Sequence, residues 1–466
     1  MQAATGSRRA RLGAPTAPGS DRRAGVRAVI RVRPGWPARA VGNAGLVAVV
    51  ASAFLLAAGT AAKPSVLVPA RSGGWPGWLA GPLRGLDFSI GRGGFQAFTL
   101  LMCAGYLMVL ACARRLQVRA IVAAIVAAHV ALLLGPPLIS QDVFGYLGYA
   151  RLGALHGLDP YTHLTAEAPS DAMFPFLGWP FKHSPYGPLF TLASYATVPL
   201  GVAGGLWAFK ALAALCSLGA VALTARARAR LGGSPAWAAA FVGLNPVLLE
   251  LAVGGAHNDT LLLLALAAAL ALTAGASARF RAGAAALVAG VGVKVTAGLT
   301  LAFLLLGPAR RRERLRAAAS AGLSLAALAA VALLGFGEHA LGFLGAIDEQ
   351  QQLVAVHSVP AETARLVGLS GTPSWWRELF LGAFAALLAG ALWRTARGAD
   401  WRAAAGWATL GLLASTAWLL PWYVIWALPL AAVSGDRRLR AATLVFCAYA
   451  IVIHLPFAEP LLSPHR

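Results

Sequence analysis

Apolar stretches separated by short polar or basic interruptions run almost the whole length of the chain. They fall at roughly 44–62, 95–113, 120–138, 186–206, 207–224, 236–253, 260–275, 283–306, 317–336, 378–395, 403–420, 423–434 and 441–455. A helix needs about 20 apolar residues to cross a bilayer; several stretches reach that length and others are visibly short. The pattern predicts an all-α polytopic integral membrane protein with about 10–13 membrane helices. Residues 1–41 carry nine arginines, from Arg8 to Arg39, and one acid, Asp21. They read as a disordered basic cytoplasmic tail ahead of a membrane domain over 42–466; so long a charged stretch before a membrane-length run is unlike a signal peptide.

Basic clusters at 114–119, 226–230, 279–281, 310–316, 394–402 and 437–440 punctuate the apolar stretches. The positive-inside rule assigns all of them to the cytoplasm. Strict alternation breaks that rule unless 186–206 is only a partial insertion, and 283–306 enters from inside, breaks near Lys294 and returns. Such broken helices are tolerated where they line a protein cavity. The outer side then receives 63–94, 139–185, 254–259, 337–376, Pro421–Tyr423 and the C-terminal end, with Asp142, Asp159, Glu167, Asp171, Asp259, Glu338, Asp348, Glu349, Glu362 and Glu459. Several of these acids stand at helix ends, which favours a polar reaction chamber over a face that merely meets water.

Composition narrows the class. The 466 residues are 58% hydrophobic and 12% charged, about half the charge of a soluble domain. That excludes a single soluble domain, a disordered chain and a secreted disulfide scaffold. The net charge of +22 sits in loop clusters, so no nucleic-acid partner is expected. Cys103, Cys112, Cys216 and Cys447 lie in or beside apolar runs without paired spacing and read as small hydrophobes.

Five polar segments carry candidate chemistry. After Pro136-Pro137 ends a span, Ser140 is a candidate N-cap, and Asp142, Tyr146, Tyr149, Gly153 and His156 share one helical face. Val143, Leu147, Ala150, Ala154 and Leu158 form the other, as in an amphipathic interfacial helix. Asp142 could equally just favour the positive end of the helix. Lys182-His183-Ser-Pro-Tyr186-Gly-Pro shapes the entry to 186–206, with Lys182 and His183 candidate phosphate contacts or, for Lys182 alone, a snorkelling cation. Asn245-Pro246 leads through Glu250, an acid costly in lipid, to Gly254-Gly-Ala-His257-Asn258-Asp259. There the glycines permit a tight turn, and Asn258 and Asp259 could simply cap the next helix. Lys294 lies in mid-stretch, where a lone cation should be paired or face a polar cavity. Pro421-Trp422-Tyr423 with Trp426 looks like an aromatic belt, a reading that suits Trp426 better than Tyr423. No phosphate-binding Gly-Lys-Ser/Thr loop, paired CxxC, HExxH or GxSxG stands where it could work.

Read in order, Asp142-Val-Phe-Gly-Tyr146, His156-Gly-Leu-Asp159-Pro-Tyr161, Ser184-Pro-Tyr-Gly-Pro-Leu189, Asn245-Pro246 through Gly255-Ala-His-Asn-Asp259, Val293-Lys294 and Pro421-Trp-Tyr423 resemble one family. It is the actinobacterial polyprenol-phosphate-mannose-dependent α-(1→6)-mannosyltransferases of the membrane GT-C superfamily. The likeness runs from about 136 to 430 and implies a GT-C-type bundle. It also implies an essential acid in the first extracytoplasmic loop, which Asp142 matches, and a mannose donor on a polyprenyl phosphate in place of a nucleotide sugar. Where relatives often carry paired acids, this chain has Gln141-Asp142, which weakens any two-carboxylate or metal-bridged scheme. No cofactor or metal site is expected, and a divalent ion stays open. The expected chemistry is transfer of mannose to a mannan or mannolipid at the outer face of the plasma membrane, with inversion. Asp142 would be the base, and Lys294 would hold the phosphate with His183 or His257. Asn258 and Asp259 would orient Lys294 or bind sugar, and Tyr146, Tyr149, Tyr186 and Tyr423 would contact sugar. The rivals are the same chemistry with arabinose or glucose, and a polyprenyl-lipid flippase without chemistry.

Overall fold

The computed structural model describes residues 38–61 and 76–454, which form helices and connections with no strand among them. The tail through residue 37 and Glu459 lie outside the described residues. Helix α1 (Ala38–Ala61) begins inside the expected tail, because Ala38-Arg-Ala are strong helix formers that add a turn ahead of the apolar run. There follow α2 (Gly77–Ala80), α3 (Arg92–Cys112), α4 (Val118–Leu134), α5 (Asp142–Ala154), α6 (Pro188–Tyr195) and α7 (Gly201–Arg230). Next come α8 (Pro235–Gly243), a π-helical turn (Val247–Val253), α9 (Asp259–Leu272), α10 (Phe280–Val293) and α11 (Ala297–Leu306). The remainder holds α12 (Arg311–Phe336), α13 (Gly342–Gln351), α14 (Val359–Leu366), α15 (Ser374–Ala396), α16 (Trp401–Ser415), a 3-10 segment (Pro421–Trp426), α17 (Ala427–Val433) and α18 (Arg437–His454).

The chain is an all-α polytopic membrane protein. Five described stretches are long and apolar enough to cross: Ala38–Ala61, Arg92–Arg115, Pro188–Arg230, Arg311–His339 and Ser374–Ala396. A sixth is added if α8 and the π-helical turn, bent by 47°, count as one span. Five shorter apolar helices of 10–17 residues fill out the bundle. α1 packs along α3 and α4, α7 along α8 and α9, and α10 between α9 and α12. α12 and α15 turn Leu323, Leu334, Leu379 and Leu387 outward, an apolar face that suits lipid.

Both expected breaks are present, one of them displaced. No break separates 206 from 207: α7 runs through that point as a single helix of 30 residues. The interruption comes earlier, at Val198-Pro199-Leu200, with Gly201 at φ 68°, so the short insertion shrinks to the eight residues of α6. Proline and a left-handed glycine stop a helix; hydropathy alone does not mark the point. At Lys294 the backbone is extended, with φ −152° and ψ 125°. A Cβ on Gly290 would lie 3.1 Å from that of Ala297, whereas seven residues along a straight helix span about 10 Å. α10 and α11 therefore double back on each other.

Helix α5 has the two faces its spacing predicts, but not the expected open polar one. Val143, Phe144 and Leu147 are buried on one side, and Tyr146 and Tyr149 on the other. Phenols carry apolar rings that pack as well as they hydrogen-bond, and Tyr146 stacks edge-on against Tyr186, Phe190 and Phe209. The helix stops at Ala154, so His156 leaves the shared face and pairs with Asp171 at 2.7 Å.

Candidate active site

A cavity of about 350 Å³ opens between α5, the loop before α6, the break at Lys294, α13, the end of α16 and the Pro421–Trp426 segment. Of the candidate substrate contacts singled out from the sequence, Asp142, Tyr149, Lys182, Tyr186, Lys294 and Tyr423 line it. Trp179, Trp418, Trp422 and Trp426 add aromatic walls, and Gln141, Gln350 and Gln351 add carboxamides. Aromatic faces with a few polar groups that both donate and accept suit a carbohydrate.

Local chemistry positions Asp142. The Ser140 hydroxyl accepts the Asp142 amide at 3.1 Å, but Ser140 is not the cap expected of it: the N-cap position of α5 falls on Gln141, whose side chain caps nothing. Ile139, just before Ser140, sits at φ 66°, uncommon for a β-branched side chain. The Leu138 amide donates to the Gly254 carbonyl at 3.0 Å, joining this segment to the turn before α9. On the opposite wall the Gly187 amide donates to the Val293 carbonyl at 3.0 Å. A Cβ on Gly187 would lie 2.4 Å from the Gly292 oxygen, so only glycine lets the Ser-Pro-Tyr-Gly-Pro loop reach the break at Lys294. The Tyr161 hydroxyl donates to the Tyr186 carbonyl at 2.9 Å and ties the His156–Tyr161 string to this loop.

The turn over 254–259 organises the rest. Asn245 shapes its approach: its side-chain oxygen accepts the Val247 amide at 3.0 Å, and its amide donates to the Tyr106 hydroxyl at 3.2 Å. In this turn the positive φ falls on Ala256, at 56°, and on neither glycine. The glycines serve close approach: a Cβ on Gly254 would lie 2.3 Å from the Glu250 carbonyl, and one on Gly255 would lie 2.7 Å from the His257 ring. Three consecutive side chains then reach three different places. His257 Nδ1 lies 3.3 Å from Asp142 Oδ2. Asn258 Oδ1 accepts the Tyr146 hydroxyl at 3.2 Å, and the side chain does not cap α9. Asp259 Oδ1 accepts both Lys294 Nζ and Trp426 Nε1 at 2.8 Å. None of the three, nor Tyr146, lines the cavity; they hold groups that do, or that pack behind it.

Lys294 is thus paired, and its ammonium also lies 4.2 Å from the Tyr423 ring centre and 5.2 Å from that of Trp426. Trp426 is no belt residue: it is buried and donates to Asp259. Glu250 accepts the Thr99 hydroxyl at 2.9 Å and does not border the cavity, which fits a structural role. The four cysteines are free. Among the described residues, no three His, Cys, Asp or Glu side chains gather as a metal site.

His183 also stays off the cavity. It binds Glu349 of α13 at 3.3 Å, and Lys182, which does line the cavity, binds the same carboxylate at 2.9 Å. Burial raises the Glu349 carboxyl, but the hydrogen bonds and charges of Lys182 and His183 outweigh that and hold it below the usual glutamate value. With the folded pKa depressed, the tie is intact above the ordinary glutamate pKa of about 4.3 and is lost as pH falls through the lowered value. Glu349→Gln at pH 7 should mimic the acid state and speed amide exchange in 181–187 and 342–351, leaving α3 and α4 unchanged. Unaltered exchange in both segments would contradict the tie. Burial, reinforced by the Asp142 charge, pushes the phenols of Tyr146, Tyr149 and Tyr186 far up, so they remain neutral donors. Tyr149 spends its proton on the Lys182 carbonyl at 2.8 Å.

Sequence reasoning missed Glu349 as a tether, and it missed Gln350, Gln351, Trp179 and Trp418 as walls. Each stands in a loop or at a helix end with no local pattern around it. The spacing of Trp422, Tyr423 and Trp426 was a usable signal, since it sets three aromatics on one short turn. Trp422 stacks on His257 at 3.8 Å between ring centres, and Tyr423 stacks on Trp426 at 4.5 Å.

A helical membrane protein with a carboxylate and an amine on the walls of an aromatic cavity defines the class. Comparison with known proteins narrows it. A family model described as alpha-(1->6)-mannopyranosyltransferase, N-terminal domain, matches residues 39–310, more than half of the chain, and a second, described as MptB C-terminal domain, matches residues 367–464. The chain belongs to this alpha-(1->6)-mannopyranosyltransferase family. Alpha-(1->6)-mannopyranosyltransferase A of Mycobacterium tuberculosis is 36% identical over 143 residues, covering 28% of this chain and 26% of that protein. The protein of the same name from Corynebacterium glutamicum is 32% identical over 144 residues, 29% of this chain and 28% of its own length. A probable alpha-(1->6)-mannopyranosyltransferase of Mycolicibacterium smegmatis is 32% identical over 143 residues, 29% of this chain and 25% of its own. The match therefore spans only about a quarter of the length of these relatives. No solved structure matches the chain.

Proposed function

We propose that the protein is a mannosyltransferase that moves mannose from β-linked polyprenyl phosphate to a mannan or mannolipid hydroxyl, forming an α-(1→6) link with inversion. The observation that supports this most is that Asp142 and Lys294 line one cavity walled by aromatic rings. The acceptor oxygen attacks the anomeric carbon, and the bond from that carbon to the phosphate oxygen breaks. The electron pair leaves with the polyprenyl phosphate, and the hydroxyl proton passes to the Asp142 carboxylate. Phosphate is already a good leaving group, so one carboxylate suffices, unlike the two-carboxylate glycosidases. Lys294 matches the charge that develops on the phosphate. Tyr186 and Tyr423 offer ring faces to the sugar. The reading sets the cavity on the extracytoplasmic face and the arginines of 310–316 in the cytoplasm, following the positive-inside rule.

Sealed right-side-out vesicles test donor and sidedness together. Supplied with labelled polyprenyl-phosphate mannose in the membrane and an impermeant mannan outside, they should label the mannan. Polyprenyl-phosphate arabinose, polyprenyl-phosphate glucose and GDP-mannose should not. Labelling from arabinose or glucose alone would move the assignment to another sugar, and lipid crossing the membrane without transfer would make the protein a flippase.

A further inference from the structure

His257 is an unusual residue to find where it is. Its side chain is fully buried, and neither ring nitrogen has a hydrogen-bond partner among the described residues. A buried polar group left without a bond costs about 1–3 kcal/mol. The ring follows Ala256, whose φ of 56° is strained for a residue with a Cβ. That backbone is held by the Ala256 amide on the Val253 carbonyl at 3.1 Å and the His257 amide on the Ala252 carbonyl at 2.9 Å. The imidazole lies almost parallel to the Trp422 indole, at 3.8 Å and 25°. So fixed, it aims Nδ1 at Asp142 Oδ2, 3.3 Å away and not yet aligned as a hydrogen bond. Asp142 itself reaches the cavity.

We propose that His257 is a positioning residue for Asp142, which rests on the reading of Asp142 as the base. Its Nδ1–H takes one carboxylate oxygen and turns the other toward the acceptor hydroxyl; Trp422 keeps the ring from rotating away. His257 gains and loses no proton in the transfer. The acceptor proton goes to Asp142 and then to water. Strain at Ala256 and an imidazole with no other polar partner are thereby tied to one catalytic side chain.

Two substitutions separate this from a packing role. His257→Asn presents an N–H close to the Nδ1 position but loses the ring that stacks on Trp422. His257→Phe keeps the ring and loses the N–H. The Phe variant should lose about 10- to 100-fold in kcat, the scale of a misplaced catalytic group, with donor KM unchanged. The Asn variant should turn over about tenfold faster than the Phe variant. Should the Phe protein fail to insert, His257→Gln, whose amide reaches toward Nε2, gives the same contrast with Asn. In the Asp142→Asn background the Phe change should add no further loss, because His257 acts through Asp142. A Phe variant as active as wild type, an Asn variant slower than Phe, or a rise in donor KM at constant kcat would each overturn the proposal. If Asp142→Asn is inactive and His257→Phe is fully active, only the positioning role falls; if Asp142→Asn is fully active, the base assignment falls first.

Discussion

Asp142→Asn should lower sugar transfer by about 10²–10⁴-fold, the usual worth of a general base, while the protein inserts and binds donor as before. The substitution keeps the shape of the side chain and leaves the Asp142 amide on the Ser140 hydroxyl. It removes only the basic oxygen and the negative charge at the start of α5. If Asp142 did no more than complement the helix N-terminus, the change would cost about 0.3–1 kcal/mol of stability and little activity. The two outcomes are orders of magnitude apart in rate, and donor titration of the same sample shows whether the fold survives. Near-wild-type transfer by a folded Asp142→Asn protein would move the base to another acid, Asp259 or Glu349.

Lys294 carries the second large effect, and a single substitution would blur it. Asp259 is 1% exposed, and one of its oxygens has no hydrogen-bond partner among the described residues. Lys294→Met would strand that carboxylate with only the Trp426 N–H, and breaking a buried pair from one side costs about 3–5 kcal/mol. The single variant should therefore melt well below the wild type. Lys294→Met combined with Asp259→Asn removes the stranded charge and should recover most of that stability. It still lacks the ammonium that the proposed function sets against the donor phosphate. A hydrogen bond to a charged group is worth about 1.5–3 kcal/mol, so half-saturation by donor should rise about 10- to 100-fold, with acceptor dependence unchanged. A double variant as stable as the wild type with normal donor titration would make Lys294 a structural partner of Asp259 and nothing more.

Much of this was legible because polar residues are scarce in so apolar a chain. Each short polar string stood out, and those at Asp142, Tyr186, Lys294 and Tyr423 meet around one cavity, while 257–259 supports it from behind. The break at Lys294 was readable because one continuous span over 283–306 would put the basic residues of 279–281 and 310–316 on opposite sides of the membrane, against the positive-inside rule. The division near 206 was misread because hydropathy is continuous there, whereas Pro199 and Gly201 mark the true interruption. Partners were the least legible part. His257, Asn258 and Asp259 are neighbours in sequence, yet they reach Asp142, Tyr146 and Lys294 on two other elements. The Tyr146–Asn258 bond joins residues 112 apart, and the Asp259–Trp426 bond joins residues 167 apart. Local spacing gives each side chain a cap, a ligand or a support as equal options, and only the tertiary fold chooses among them. Trp426 illustrates the same limit: an indole near a span end suits a membrane interface on composition, and its N–H partner comes from another helix.

The most direct test of a single-carboxylate transfer in this cavity is the anomeric configuration of the linkage it makes. Purified protein given β-linked polyprenyl-phosphate mannose and a mannan acceptor should form a new residue whose one-bond carbon–proton coupling in NMR identifies an α-mannoside, with a long-range correlation from its anomeric proton to the acceptor C6 and no mannosyl-enzyme detectable by mass spectrometry. A β-linked product, or a covalent mannosyl adduct on the protein, would contradict direct inversion by Asp142.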